Sequence, residues 1–168
     1  MTSIDNDYLL DILQEKLGAD LYHSEITYGI LSIEINRHKN IELLTFLRDH
    51  KELQMSFMTD LCGAHFPDHK NKELVVIYHL HSLVNNIRLR IKCFMPETEQ
   101  VIDSAVEVFP AANWMERETF DFFGIKFKGH PNLIRILNME NMTYHPLRKE
   151  YPLEDASRED KKDKFFGR

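Results

Sequence analysis

The first apolar residues of the chain recur with the spacing of one helix face. This stripe consists of Tyr8, Leu9, Ile12, Leu13 and Leu17. Ser3 or Asp5 can cap the start of such a helix, and Gly18 stands where helices commonly end. The pattern therefore predicts a first helix that is amphipathic and closed by a glycine.

Alternation of apolar and polar residues then indicates strands. It is clearest at Leu31, Ile33 and Ile35, and the short link at Tyr28 and Gly29 favours antiparallel pairing with the strand before it. The predicted strands are residues 21–27, 30–36, 57–66, 72–82 and 87–94. The last two form the clearest hairpin, with its turn near two asparagines.

Helical patterns separate and follow these strands. A second helix is predicted from Asn40, a third over residues 96–109 and a fourth from Asn113 to Gly124. Glu116, three residues after Asn113, is the expected partner in a capping box. This order predicts an α+β fold, a two-layer sandwich with helices packed on one face of a mixed, mostly antiparallel sheet.

Composition narrows the class of protein. The chain has 168 residues, of which 43% are hydrophobic and 29% charged, which is typical of one globular domain. Its net charge of -6 argues against nucleic-acid binding. The sequence shows neither an apolar run long enough to span a bilayer nor a targeting segment at its start. We therefore expect it to stay in the compartment where it is made and to reach a membrane only through partners.

Few residues suggest chemistry within the chain. Its 2 cysteines cannot provide the four thiolates of an ordinary iron–sulfur cluster, and its glycines lack the spacing of a nucleotide-binding loop. One metal hypothesis remains, because cysteine and histidine recur with a spacing that resembles zinc ligation. Its candidate ligands are Cys62, His65, His69, His79 and His81. The alternative is that these are ordinary sheet and loop residues.

The chain changes character after Gly124. Three prolines prevent a long helix or a central strand here, and only a short strand at Ile125 and Phe127 and a short helical turn over residues 133–137 are predicted. Apolar residues without a period must lie against something else. They are Ile125, Phe127, Leu133, Ile136, Leu137, Leu147 and Tyr151. The residues alone favour equally an arm that binds a partner and a tail that wraps its own domain.

The expected organisation has three parts. Residues 1–124 form the α+β globular domain, residues 125–153 an extended partner-binding arm, and residues 154–168 a charged, flexible tail. The arm combines arginine with aromatic residues, a composition that is enriched in protein interfaces.

Three motifs lie between Glu116 and Leu153. They read ERETFDFFGI at 116–125, GHP at 129–131 and HPLRKEYPL at 145–153. Together they resemble the signature of the 30 kDa subunit family of respiratory complex I, the NADH-quinone oxidoreductase of bacteria. Ile134, Tyr144 and Glu150 depart from the family pattern, which usually has arginine, glycine and aspartate there.

The resemblance implies a peripheral-arm subunit that has neither cofactor nor catalytic residue of its own. Iron–sulfur clusters and FMN would lie in partner subunits. The partners would be other peripheral-arm subunits of complex I, chiefly the large hydrogenase-like subunit of the quinone module, on which this chain would dock. The assembly would couple NADH oxidation by quinone to ion translocation. It would lie on the cytoplasmic face of a bacterial inner membrane, or on the matrix side in an organelle.

Three alternatives remain open: an equivalent subunit of a ferredoxin- or hydrogenase-linked complex, a small metal-dependent enzyme that uses the histidine cluster, and a soluble ferredoxin-like adaptor without redox association. If the chain is a peripheral-arm subunit of complex I, we expect eleven residues at the interface with its partner. They are Glu116, Arg117, Asp121, His130, Pro131, Arg135, His145, Pro146, Arg148, Lys149 and Tyr151. Arg117 and Asp121 can pair or hold the arm, the two histidines can bond a partner's backbone, and Arg148 and Lys149 can make charged contacts.

Overall fold

The computed structural model describes residues 4–151. Ser3, the last two residues of the predicted arm and the predicted tail at 154–168 lie outside the described residues. The helices are α1 (Asn6–Leu17), α2 (Asn40–Asp49) and α3 (Ala112–Phe123). The strands are β1 (Leu21–Thr27), β2 (Ile30–Ile35), β3 (Phe57–His65), β4 (Leu74–Ser82), β5 (Ile87–Met95), β6 (Val101–Asp103) and β7 (Lys126–Lys128).

Five strands form one sheet in the order β1-β2-β5-β4-β3. Within this sheet β2 and β5 pair in parallel, and the other neighbouring strands pair antiparallel. Alternate residues of β4 and β5 face the buried side, where Leu74, Val76, Leu89 and Ile91 join leucines of α1 and α2 in one core. The predicted α+β class, with a mostly antiparallel sheet, is confirmed.

Local signals explain the first helix. The Asp5 carboxylate accepts a hydrogen bond from the Tyr8 N–H at 2.9 Å and so caps α1. Leu9 and Leu13 are fully buried, and Gly18 ends the helix with a φ of 51°. This helix, the five sheet strands and the helix from Asn40 are confirmed.

The helix predicted over residues 96–109 is wrong. A single turn at Glu97–Glu99 is followed by β6, which pairs in parallel with β7. The pairing buries Ile102 and Phe127, each 3% exposed. Part of this segment forms a strand despite the helical spacing of its apolar residues, because β7, which is distant in sequence, provides hydrogen-bond partners and a contact in the core.

The capping box predicted at the start of the last helix is also wrong. This helix, α3, begins at Ala112, and no side chain caps it. The Glu116 carboxylate instead reaches back to residues just after β6, where it accepts hydrogen bonds from the Ser104 hydroxyl and the Ala105 N–H. Glu116 therefore joins two elements of the fold rather than closing a helix end.

Candidate functional site

The C-terminal segment (residues 129–151) folds back onto the end of α3. A helix leaves its last four carbonyl oxygens without partners inside the helix, and in α3 this segment and Gly124 satisfy all four. The acceptor and donor pairs are Phe120 with the Gly124 N–H, Asp121 with Arg135 and His145, Phe122 with the Leu147 N–H, and Phe123 with Arg148. The cationic donors also suit the negative end of the helix dipole. The segment therefore wraps its own domain, the second of the two arrangements that the residues favoured.

Asp121 is the centre of these contacts. Its side chain is fully buried, and one carboxylate oxygen lies 2.6 Å from Arg135 Nη1. The other oxygen accepts hydrogen bonds from the N–H groups of Ile136, Leu137 and Asn138 at 3.1, 2.9 and 2.9 Å. Burial alone would raise the pKa of Asp121, but these N–H groups and the guanidinium together hold that pKa well below its usual range. The carboxylate therefore stays ionised.

The same contacts correct two predictions. The predicted helical turn at 133–137 is absent, because the N–H groups of Ile136 and Leu137 donate to Asp121. Arg117 does hold the segment, but it does not pair with Asp121. Its guanidinium donates to the carbonyls of Ile134 and Arg135 at 3.1 and 3.0 Å.

Arg135 connects two parts of the segment. Besides Asp121, it donates to the carbonyl oxygens of Met142 and Tyr144 at 2.7 and 2.9 Å. Its side chain is only 10% exposed. A guanidinium presents several donors in a fixed plane, and this geometry lets one side chain fix separate backbone positions.

His145 packs against the glycine that ends α3. Its Nδ1–H donates to the Asp121 carbonyl at 3.0 Å, and a Cβ atom on Gly124 would lie 2.6 Å from its ring. Burial lowers the pKa of His145, although this hydrogen bond opposes the change. His130 likewise bonds a backbone carbonyl of this chain, that of Asn113, at 3.0 Å.

Glu116 is a buried carboxyl group that has neutral hydrogen-bond donors. Its side chain is fully buried, and its hydrogen bonds from Ser104 and Ala105 are both 2.6 Å long. Burial raises the pKa of Glu116 to about 7, against the opposing effect of these two hydrogen bonds. A carboxyl group that joins α3 to β6 therefore titrates near neutral pH.

The end of the segment is held at the edge of the sheet. The Lys149 N–H donates to His65 Nδ1 at 3.0 Å, and His65 Nε2 lies 2.9 Å from a Glu97 carboxylate oxygen. Arg148 also contacts Gln100. His65 therefore holds the segment through Nδ1, whereas its Nε2 lies close to the Glu97 carboxylate without making a hydrogen bond to it.

The proposed zinc ligands do not converge. Cys62 and His65 occupy opposite faces of β3, since they lie three positions apart in one strand. His79 Nε2 accepts a hydrogen bond from Arg90 at 2.9 Å, and burial raises the pKa of the Cys62 thiol to about 11. Among residues 4–151, no three histidine, cysteine or acidic side chains are close enough to hold a metal ion.

Most of the predicted interface residues point into the chain. Glu116 and Asp121 are fully buried, and six others are half-buried; only Pro131, Lys149 and Tyr151 are exposed. The surface around the segment shows large apolar side chains instead. They are Trp114, Ile134, Leu137, Met139, Tyr144, Leu147 and Tyr151.

Sequence reasoning found only part of this apolar surface. It included Leu137, Leu147 and Tyr151 among the residues that must lie against something else, but Ile125 and Phe127 of the same set are buried in the core. Trp114, Ile134, Met139 and Tyr144 were missed. The available signal was a tryptophan three residues before Arg117 in the predicted fourth helix, a spacing that places both side chains on one helix face.

The sequence and the fold both match known proteins. A family model described as the respiratory-chain NADH dehydrogenase 30 kDa subunit matches residues 33–157. A Mesorhizobium japonicum protein named as a subunit of NADH-quinone oxidoreductase is 41% identical over 141 residues, which are 84% of this chain and 69% of that protein. A protein of the same name from Citrifermentans bemidjiense is 37% identical over 147 residues, 88% of this chain and 89% of that protein.

Solved structures agree on the fold. A trypsin-resistant fragment of Nqo5 superposes with a TM-score of 0.63 at 27% identity, covering 74% of this chain and 98% of the fragment. A chain of the archaeal membrane-bound sulfane sulfur reductase superposes with a TM-score of 0.73 over 88% of this chain and 85% of its own length. Its identity is 19%, so that likeness shows the fold alone. Within residues 4–151, no helix has the length and apolarity that crossing a bilayer requires.

Proposed function

The chain belongs to the family of the 30 kDa subunit of respiratory-chain NADH dehydrogenase, and we propose that it is a structural subunit in the peripheral arm of an NADH:quinone oxidoreductase. Its role is to dock on the large hydrogenase-like subunit of the quinone module. The assembly, rather than this chain, transfers electrons from NADH to quinone and translocates ions.

One observation supports this role most directly. The C-terminal segment, which contains the second signature motif and most of the third, uses its charged groups to bond the chain's own backbone, and large apolar side chains remain on the surface. Apolar side chains in such numbers on one surface region are typical of a site that another protein covers.

We propose that the chain holds no redox cofactor. Its 2 cysteines cannot ligate an ordinary iron–sulfur cluster. Burial raises the pKa of both thiols, that of Cys62 to about 11, and a raised pKa disfavours the thiolate that ligation requires. The iron–sulfur clusters and FMN of the assembly belong to its partner subunits, and this chain meets the cytoplasmic face of the membrane only through them.

An equivalent subunit of a ferredoxin- or hydrogenase-linked complex is the second candidate. A chain of the archaeal sulfane sulfur reductase, which is named a respiratory membrane complex, shares the fold alone, so this fold also occurs in an assembly that is not named an NADH-quinone oxidoreductase. Three curated relatives at 37–43% identity are named as subunits of NADH-quinone oxidoreductase, so the NADH-linked role is the better supported.

Affinity purification from solubilised membranes tests both candidates. A tagged chain should bring down a large assembly with NADH:quinone oxidoreductase activity, and mass spectrometry should identify its other subunits. Ferredoxin- or hydrogenase-linked partners would select the second candidate. A chain that purifies alone, with stoichiometric metal or turnover of its own, would overturn both and favour the histidine-cluster enzyme.

A further inference from the structure

Residues 134–144, called here the inverted loop, turn their polar side inward. Arg135 points into the loop, where it bonds Asp121 and the carbonyls of Met142 and Tyr144. Three successive N–H groups of the loop also point at Asp121. Polar groups of a surface loop usually face water, so this orientation is the reverse of the ordinary one.

In the first half of the inverted loop, residues 134–139, the exposed side chains are apolar, whereas the exposed polar residues Glu140, Asn141 and Thr143 lie in its second half. Ile134, Leu137 and Met139 are 49%, 64% and 68% exposed. Trp114 of α3, 63% exposed, continues this surface, because Arg117 stacks on its ring at 4.9 Å and also bonds the Ile134 carbonyl. The exposed apolar side chains gain nothing from the chain's own core.

We propose that Trp114, Ile134, Leu137 and Met139 form the contact surface for a neighbouring protein subunit, and that Asp121 and Arg135 are positioning residues that hold this surface in its docking conformation. The inference rests on the proposed function and names the part of the surface that docks. Asp121 and Arg135 then act indirectly, by fixing the backbone of the inverted loop, and the four apolar side chains contact the partner.

The chemistry of the surface favours a protein over a membrane. A lipid headgroup surface attracts cationic side chains around an apolar patch. Here Arg135 is turned inward and Arg117 is engaged with backbone carbonyls and a ring. The chain as a whole has a net charge of -6. An apolar surface of a partner subunit needs no such cations, and a loop fixed before docking loses less conformational entropy when it binds.

A matched pair of substitutions tests the contact surface. Leu137 and Leu83 are 64% and 63% exposed, and Leu83 lies in the β4–β5 turn. Expressed in place of the native chain, Leu137→Asp should reduce the fraction that co-purifies with the membrane complex at least tenfold, whereas Leu83→Asp should not. Both purified variants should melt as the wild type does. Equal recovery of the two variants would overturn the contact surface while leaving the proposed function intact, since the wild type still co-purifies.

The positioning role has its own readout. Asp121→Asn replaces an acceptor-only carboxylate, so the amides of residues 136–138 should exchange with solvent at least tenfold faster and co-purification should fall. Arg135→Lys, which keeps the charge, should give a milder form of both effects. It is the variant to measure if Asp121→Asn does not fold. Unchanged exchange in both variants, or faster exchange with normal assembly, would overturn the positioning role.

Two further outcomes would contradict the choice of partner. Dimerisation of the purified wild-type chain that Leu137→Asp abolishes would assign the surface to a second copy. Flotation of the wild type, but not of Leu137→Asp, with vesicles of phosphatidylcholine and phosphatidylglycerol would assign it to a lipid surface. We expect a monomer that does not float.

Discussion

Replacing Glu116 with glutamine should change how the stability of the chain depends on pH. In the folded chain this carboxyl is fully buried and accepts hydrogen bonds from Ser104 and Ala105. Glutamine has nearly the same shape. Its amide oxygen can accept from the Ala105 N–H, and its NH₂ group can donate to the Ser104 hydroxyl. The substitution thus removes the ionisation while keeping both contacts.

The magnitude follows from the raised pKa of Glu116. A carboxyl with a pKa of 4.5 when unfolded and about 7 when folded favours the unfolded chain as pH rises between those values. The loss of stability is roughly 3 kcal/mol, because each pH unit is worth about 1.36 kcal/mol. In the wild type, the contribution of Glu116 to the free energy of unfolding is fully present below pH 4.5. It falls as the pH rises from 4.5 to about 7, and above that pH it no longer changes.

Other groups act in overlapping ranges with the opposite sign. The lowered pKa of His145 stabilises the fold at pH values above 6.5, the ordinary pKa of histidine. This stabilisation is lost as the pH falls below that value. The lowered pKa of Asp121 acts likewise on acidification below 3.8. The difference between Glu116→Gln and the wild type cancels both effects, because they are present in both chains.

Urea unfolding followed by circular dichroism at intervals from pH 4 to 8 measures this difference. Glu116→Gln should match the wild type near pH 4 and exceed it by roughly 3 kcal/mol at pH 8. Glu118→Gln, at an exposed position of the same helix, is the control for losing one negative charge. A difference between Glu116→Gln and the wild type that stays constant with pH would refute the reasoning.

Three further predictions concern the segment and the metal hypothesis. Gly124→Ala and Gly29→Ala place alanine at the same φ of 78°, but only the alanine at position 124 would clash with His145. Gly124→Ala should therefore lower the free energy of unfolding in urea by about 2 kcal/mol more than Gly29→Ala does. Equal losses would contradict the contact. Arg148→Ala removes hydrogen bonds to the Phe123 carbonyl and to the side-chain amide of Gln100. The variant should lose roughly 1–3 kcal/mol of its free energy of unfolding, and it should still fold but assemble poorly. Thermal melting and co-purification measure this, and an unfolded chain with normal binding would refute it. Chelation should leave the melting temperature unchanged, and a fall would reinstate a bound metal.

The sheet could be predicted from the sequence because its strands are determined largely by local pattern. The alternation at Leu31, Ile33 and Ile35 already requires one apolar face. The β4–β5 hairpin pairs neighbours in the chain, so its partners need no distant information. The segment 96–109 failed for the opposite reason: β6 exists because β7, after α3, pairs with it.

For the candidate site, too, some features follow from the sequence and others only from the tertiary structure. The sequence by itself determined the family, the position of the segment and the residue types that matter, since these are properties of composition and order along the chain. Only the tertiary structure decided that Asp121 pairs with Arg135, that Glu116 is buried beside Ser104, and that Leu137 faces outward. The acceptor of a charged side chain depends on which carbonyls and carboxylates folding brings within about 3 Å, and residue order does not specify those distances.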